Sequence, residues 1–241
     1  MGRFSIMLPI IGLGLMATPS LAGIISSDTT INGVTLDFGA EPPLAEMVKN
    51  NSAPNRTTLT LATQPSNIPI NYTAPTTLEA SGQGNGFAFV SGLGNGANES
   101  GFSSLTISPQ STALGFNAIN FNIAALGTGN NTWYGDIILD PANDDPLIKF
   151  ENVAFNTGGE NKFAIFSDSN TLFSSITFSG LATAADGGVA QNFDSIRQVS
   201  IGVAAVPEAS TWAMMIVGFG FVGGQVRARR RTGSLPKLAS A

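Results

Sequence analysis

The chain has 241 residues, of which 11% are charged, and it contains neither histidine nor cysteine. Because histidine is the commonest general base and cysteine is a nucleophile and zinc ligand, Ser-His-Asp, Cys-His and ordinary zinc-dependent catalysis are excluded. Residues 23–205 carry five basic and fifteen acidic residues and therefore have a net charge of −10. Such a body repels phosphate backbones, which argues against nucleic acid as a partner.

The N-terminus has the three parts of a secretory signal peptide. Arg3 supplies a positive start, residues 6–16 form an apolar run, and small residues stand at the −3 and −1 positions of a cut after Ala22. An apolar run this short is typical of a signal peptide rather than of a membrane-spanning helix. We therefore expect residues 1–22 to be removed, the mature chain to begin at Gly23, and the protein to be exported.

Residues 23–205 are predicted to form a single all-β ectodomain. Short apolar runs alternate with polar residues and end in clusters of Gly, Asn, Asp or Ser, a pattern that favours an antiparallel, jelly-roll-like β-sandwich. The predicted strands are 33–38, 57–61, 87–91, 103–108, 119–123, 133–139, 147–155, 162–166, 172–179 and 199–203. Apolar spacings of three and four predict a short helix in residues 43–50. The proline-rich stretch 50–77 could be a linker, but irregular edge strands are favoured because proline is tolerated at sheet edges.

Two groups of side chains in this domain are candidates for binding. Asp140, Asp144 and Asp145 surround a predicted turn. Their oxygens could hold a calcium ion, although a solvated acidic turn is the more ordinary explanation of the cluster, and no other cofactor is indicated. Trp133 and Tyr134 follow an Asn-rich turn and could contact a glycan, but a tryptophan in a strand more often belongs to the core.

The C-terminal segment combines a proline, an apolar run and a basic cluster. Pro207 ends the last predicted strand, and residues 209–226 form an uncharged run of 18 residues. As a helix this run would be about 27 Å long, slightly shorter than a hydrocarbon core of about 30 Å. We therefore predict one short transmembrane helix, with Trp212 at the outer interface and the basic cluster on the cytoplasmic side. The cluster consists of Arg227, Arg229, Arg230 and Arg231.

Residues 206–231 resemble the PEP-CTERM sorting domain, whose tail has a Pro-Glu-Pro motif, a short apolar helix and an arginine cluster. Pro207 and Glu208 match the motif, Ala209 stands where a second proline is usual, and Trp212 opens the apolar part. The resemblance implies that the protein is a substrate of an exosortase, a membrane-embedded protease-transpeptidase. It also implies a link to exopolysaccharide, biofilm and the cell surface of Gram-negative bacteria. Residues 232–241 form a short tail beyond the arginines.

These observations predict a protein that passes transiently through the inner membrane and then reaches the cell surface or the extracellular matrix. We expect its ectodomain to be non-enzymatic, with a structural or adhesive role in association with exopolysaccharide. The alternative is a carbohydrate-binding or carboxylate-dependent polysaccharide-degrading enzyme. The low content of charged residues favours the first hypothesis, because a catalytic cleft usually gathers several titratable groups.

Overall fold

The computed structural model describes residues 25–39, 44–49, 56–82, 87–93, 101–126, 132–143, 145–156, 161–167, 171–182, 192–206 and 209–232. The strands are, in chain order, β1 (Thr29–Ile31), β2 (Val34–Asp37), β3 (Glu46–Lys49), β4 (Arg56–Gln64), β5 (Pro69–Gly82), β6 (Ala88–Gly92), β7 (Ser104–Pro109), β8 (Leu114–Ala125), β9 (Thr132–Pro141), β10 (Ile148–Asn156), β11 (Asn161–Ser167), β12 (Phe173–Ala182) and β13 (Phe193–Ala205), and the helix α1 is Ala209–Thr232. The all-β prediction for the domain is confirmed, and each predicted strand lies on an observed one.

Seven of these strands close into a barrel rather than forming the two sheets of a jelly roll. Hydrogen-bonded neighbours run in the order β8, β13, β3, β4, β5, β7 and β12, and β12 returns to β8 where Phe173 pairs with Phe116. β6 is not part of this order and pairs with both β13 and β5. Three register shifts in β13 allow it to pair with β8 along its length while it bends. Bulges of this kind increase twist and bend a strand, which favours closure.

The remaining strands extend from the seam between β8 and β12. β2 and β11 continue the sheet beyond β8, with β1 at the outside, whereas β9 and β10 continue it beyond β12. The two extensions meet where Ile25 lies against β10. The amide of Ile25 donates to the carbonyl oxygen of Asn152 at 3.0 Å, and the amide of Ala154 donates to the carbonyl oxygen of Ile25 at 2.9 Å. The two extensions are thereby joined beside the barrel.

Packed phenylalanine rings form the centre of the core. Five buried rings make a cycle of contacts with centroids 4.8–6.5 Å apart. This phenylalanine cluster consists of Phe121, Phe155, Phe163, Phe178 and Phe193. Because its members come from β8, β10, β11, β12 and β13, it connects the barrel to both extensions. Four of the five contacts are edge to face, an arrangement that adds stability beyond the buried area. With no cysteine in the chain, the domain depends on this packing.

The predicted helix at 43–50 is wrong where the structure describes it. Glu46–Lys49 form β3, which pairs with β13 and β4. Glu46 and Val48 are buried whereas Met47 and Lys49 are half-exposed, which is the period of a strand. Four residues are too few for a local spacing to specify a helix, so pairing with two neighbouring strands determines the conformation.

The prediction of edge strands in residues 50–77 is also wrong, because β5 lies between β4, β6 and β7. Proline is tolerated here for two local reasons. Pro69 is the first residue of the strand, where a missing amide is least costly. Pro75 lies between the stretch 70–73, which pairs with β7, and the stretch 78–82, which pairs with β6.

The predicted C-terminal helix is present as α1, but its predicted passage through a membrane is not supported. Within the described residues, no helix combines the length and the apolar character required to cross a membrane. Four glycines and Gln225 lower the mean hydropathy of α1. The large apolar residues between Met214 and Val222 are 47–73% exposed.

Candidate functional site

The outer surface of the barrel carries a row of four threonines from four adjacent strands. Thr58 of β4 pairs with Thr73 of β5, Thr73 pairs with Thr106 of β7, and Thr106 pairs with Thr177 of β12. We call these four residues the threonine row. The residues that alternate with them, such as Leu59, point into the core, so the hydroxyls face outward.

Hydrogen bonds between the side chains fix the geometry of this surface. The hydroxyl oxygens of Thr58 and Thr73 are 3.2 Å apart, and those of Thr106 and Thr177 are 2.9 Å apart. Neighbouring strands are spaced by about 4.8 Å, so the row spans about 14 Å. A second, parallel row consists of Thr60, Asn71 and Ser108, in which the Thr60 hydroxyl donates to Oδ1 of Asn71 at 2.8 Å.

The two rows present hydroxyl, amide and methyl groups without a charged side chain among them. Hydroxyl and amide groups both donate and accept hydrogen bonds, which suits a neutral, polyhydroxylated surface such as a glycan. The Thr-x-Thr alternation in residues 58–60 was visible in the sequence. The alignment of the four strands was not, because it depends on the register between residues that are far apart in the chain.

The residues of the predicted sorting signal are placed only in part. Ala22, Gly23, Pro207 and Glu208 lie outside the described residues. The helix α1 contains Trp212, Arg229, Arg230 and Arg231. The side chain of Arg227 is exposed. The arginine cluster thus follows the exposed apolar part of the same helix.

Two of the three predicted calcium ligands, Asp140 and Asp145, lie in the part of the chain that the structure describes, and each contacts a neighbouring side chain. Asp140 accepts a hydrogen bond from the hydroxyl of Ser174 at 2.9 Å, and Asp145 accepts one from Nδ2 of Asn143 at 2.7 Å. Asp144 is outside the described residues. Among those that are described, no three acidic residues are grouped to hold a metal ion, so calcium binding stays a prediction.

The two aromatic residues considered for glycan contact point in opposite directions. Trp133 is buried in the core, as expected for a tryptophan in a strand. Tyr134 is half-buried on the other face of β9, where it pairs with Ala154 of β10 and Ala182 of β12. Only Tyr134 of the pair faces outward.

Glu46 is a buried carboxylate that joins β3 to the turn between β4 and β5. It accepts hydrogen bonds from the Thr63 hydroxyl at 2.7 Å, from the Ser66 amide at 3.1 Å and from the Ser66 hydroxyl. Burial raises the pKa of Glu46, but the hydrogen bonds from Ser66 and Thr63 favour the charged form, and the balance holds the pKa below its ordinary value. All three donors belong to the fold, which indicates a structural role.

Replacing Glu46 with glutamine is expected to reduce the loss of stability in acid. The pKa of Glu46 is lower in the folded protein than its ordinary value of 4.5 in the unfolded chain. The ionised carboxylate therefore stabilises the native state fully above pH 4.5. This stabilisation is lost as the pH falls through the pKa of the folded protein. Thermal melting between pH 7 and pH 3 should show a flatter pH dependence for Glu46→Gln than for the unmodified chain. The control is Glu151→Gln, at an exposed position, and equal slopes for all three proteins would contradict the assignment.

The fold and its surface define an all-β protein with a seven-stranded barrel, an outward hydroxyl surface and an exposed C-terminal helix. No protein-family model matches the chain, and comparison with curated proteins and with solved structures finds no match either. The likeness of residues 206–231 to a sorting domain is therefore carried by the residues of the tail alone.

Proposed function

We propose that this is an exported protein of the cell surface or extracellular matrix whose C-terminal tail is a sorting signal cleaved by an exosortase. The observation that carries the proposal is the exposure of α1. Ile216, Phe219 and Phe221 are each at least 70% exposed. A concentration of exposed apolar side chains of this kind is typical of a site of interaction with a protein or a membrane. A membrane-embedded processing enzyme would cover it.

The order of the tail supports this role. In the sequence, Pro207 and Glu208 follow the last barrel strand, β13, after one residue and come directly before α1. Because proline disfavours helix in the residue before it, we expect an extended backbone ahead of α1, a form that a protease can bind. The arginine cluster at the other end of α1 favours the cytoplasmic side of a membrane. The tail can therefore hold the scissile stretch at the outer surface of the inner membrane.

The barrel supports a structural or adhesive role for the exported part. The threonine row and its neighbouring row offer uncharged hydrogen-bonding groups, while the ionised Glu46 is enclosed by the fold. An uncharged surface of hydroxyls and amides associates with neutral stretches of exopolysaccharide through hydrogen bonds and contacts with methyl groups. We therefore propose that the mature domain is a non-enzymatic component of a polysaccharide-rich surface.

Changes at the two ends of the tail are expected to have opposite effects on processing. With Pro207→Ala and Glu208→Gln combined, full-length protein should accumulate at the inner membrane, because the cleavable stretch is lost while the membrane-retaining part remains. With all four arginines changed to glutamine, uncleaved protein should pass through or misorient, since each charge opposes transfer through hydrocarbon by about 2.5–3.5 kcal/mol. The measurement is cell fractionation with one antibody against the tail and another against the barrel.

Two matched variants control for nonspecific effects. Ser210→Ala alters the chain beside the motif without changing its proline or acid, and it should be processed normally. Changing all four arginines to lysine retains the charge and should also preserve processing. If the motif variant and the arginine-to-glutamine variant both reach the surface with the same C-terminal mass as the unmodified protein, the proposed function is wrong.

A further inference from the structure

Two phenylalanine side chains lie on the outer surface of the barrel, at β6. Ala88 and Val90 of this strand are buried in the core, whereas Phe87, directly before β6, and Phe89 are half-buried and do not belong to the core. Because alternate residues of a strand point to opposite faces, both rings face outward, one after the other along the strand. We call Phe87 and Phe89 the aromatic pair. Aromatic rings on a surface are enriched at sites of recognition.

A lysine from a neighbouring strand lies over the first of these rings. Lys49, the last residue of β3, forms an antiparallel bridge with Phe87. Its Nζ atom is 5.3 Å from the centroid of the Phe87 ring, within the distance of about 6 Å that defines a cation–π contact. This contact holds the ammonium group at the outer surface, beside the aromatic pair.

The ammonium group of Lys49 keeps hydrogen-bonding capacity for a ligand. It has three N–H donors, and among the residues that the structure describes its side chain contacts the ring of Phe87 and forms no ion pair. Arg197 of β13 lies opposite Phe89 but already has an interaction partner, so Lys49 is the cation that can contact a ligand here. A carboxylate at this position would gain a charge-assisted hydrogen bond.

The other end of the aromatic pair is polar and negatively charged. Ser91 faces the same side as Phe89, two residues further along β6. On the adjacent strand β5, Glu79 is opposite Ser91 and Ser81 is opposite Phe89. Their hydroxyl and carboxylate oxygens can accept hydrogen bonds from the hydroxyls of a ligand. A strand rises about 3.3 Å per residue, so the surface from Phe87 to Ser91 is about 13 Å long.

From this order of groups we infer that the outer face of β6 binds an acidic oligosaccharide along the strand, with a carboxylate at Lys49 and a sugar ring on Phe89. Charge complementarity sets the direction, because Lys49 attracts a carboxylate and Glu79 repels one. The C–H groups of the sugar ring pack on the aromatic ring. The site deepens the proposed function and rests on it, since an exopolysaccharide would supply such a ligand.

The test is a ligand-observed NMR titration of the full chain in a zwitterionic detergent that has no sugar headgroup. The probes are a trisaccharide of galacturonic acid, the matched neutral trisaccharide of galactose, and acetate, which is a carboxylate without a sugar ring. We expect the acidic trisaccharide to bind about fivefold more tightly than the neutral one, the ratio given by a surface ion pair at the upper end of its usual range. Acetate should not bind at the same concentrations.

Variants separate the contribution of the charge from that of the ring. Lys49→Gln should abolish the preference for the acidic trisaccharide, whereas Lys49→Arg should retain it. Phe89→Leu removes the ring but keeps an apolar side chain, and it should weaken both trisaccharides about fivefold, whereas Phe89→Tyr should retain binding. Lys149→Gln, at an exposed lysine of β10, is the matched control and should have no effect. Melting curves of each variant confirm that it is folded.

Four results would overturn the assignment of this site: no binding of either trisaccharide, equal binding of both by the unmodified chain, equal effects of Lys49→Gln and Lys149→Gln, or unchanged binding in Phe89→Leu. None of them would contradict the sorting role, because processing of the tail is measured separately in cells. Conversely, a preference for the acidic trisaccharide that depends on Lys49, in a protein whose tail is never processed, would support the site and refute the sorting role.

Discussion

Replacing Phe193 with alanine is expected to lower the free energy of unfolding by about 3–5 kcal/mol, the usual range for a buried phenylalanine. Phe193 is fully buried and its ring is 5.2 Å from that of Phe155, 6.5 Å from that of Phe178 and 5.8 Å from that of Phe102. Truncation removes all of these contacts and leaves a cavity that rigid strands on several sides cannot fill. Urea unfolding followed by circular dichroism measures the loss.

A matched control separates the loss of core packing from the effect of replacing a phenylalanine with alanine at any position. Phe219 of α1 is 72% exposed, so Phe219→Ala should change the free energy of unfolding by no more than about 0.5 kcal/mol. If Phe193→Ala lost less than about 1 kcal/mol, the site would collapse easily. The phenylalanine cluster would then not be the centre of the core.

Replacing Gly101 with alanine is expected to cost about 2–5 kcal/mol, for two separable reasons. Gly101 has a φ of +47°, a left-handed conformation that costs a residue with a Cβ about 1–2 kcal/mol. Its Cβ would also lie 2.1 Å from the carbonyl oxygen of Phe193. That oxygen accepts a hydrogen bond from the amide of Phe102 at 2.9 Å. The backbone must therefore shift, and this hydrogen bond between Phe102 and Phe193 is strained. Such overpacking adds about 1–3 kcal/mol.

Gly180 provides the comparison that isolates the steric contribution. Its φ of +62° is also left-handed, but a Cβ there would meet no atom of the described residues within 4 Å. Gly180→Ala should therefore show only the conformational cost of about 1–2 kcal/mol. Urea unfolding measures the loss of unfolding free energy for each of the two variants. Equal losses would show that the close approach of Gly101 to Phe193 does not hinder a Cβ at position 101.

The strands of the barrel could be predicted because their pattern is local. In β7 and β9 buried residues alternate with residues that are half-buried or, at Asp140, exposed. A period of two requires no knowledge of which strand is adjacent. β3 could not be predicted this way, since four residues fit a helical spacing as well as a strand. Its conformation follows from pairing with β13 and β4, residues more than a hundred positions away in one case.

For the candidate surfaces, too, the sequence predicted the local composition but not the arrangement of the side chains. The composition of residues 23–205 predicted an acidic, cysteine-free domain with many hydroxyl and amide side chains. It did not indicate that four threonines align across β4, β5, β7 and β12, or that Lys49 of β3 lies over the outward ring of Phe87. Each of these arrangements depends on strand register, and a shift by one residue would turn every side chain of a strand to the opposite face.

The sequence by itself determined three properties: the period of the strands, the difference in charge between residues 23–205 and the C-terminal segment, and the exclusion of histidine and cysteine chemistry. These properties depend only on residue identity and on neighbours in the chain. The tertiary structure alone decided that the sheet closes. The pairing of Phe173 with Phe116 joins β12 to β8, and the bends of β13 bring β3 and β8 to the same strand. Closure is a property of contacts between distant segments, whose relative positions no local pattern specifies.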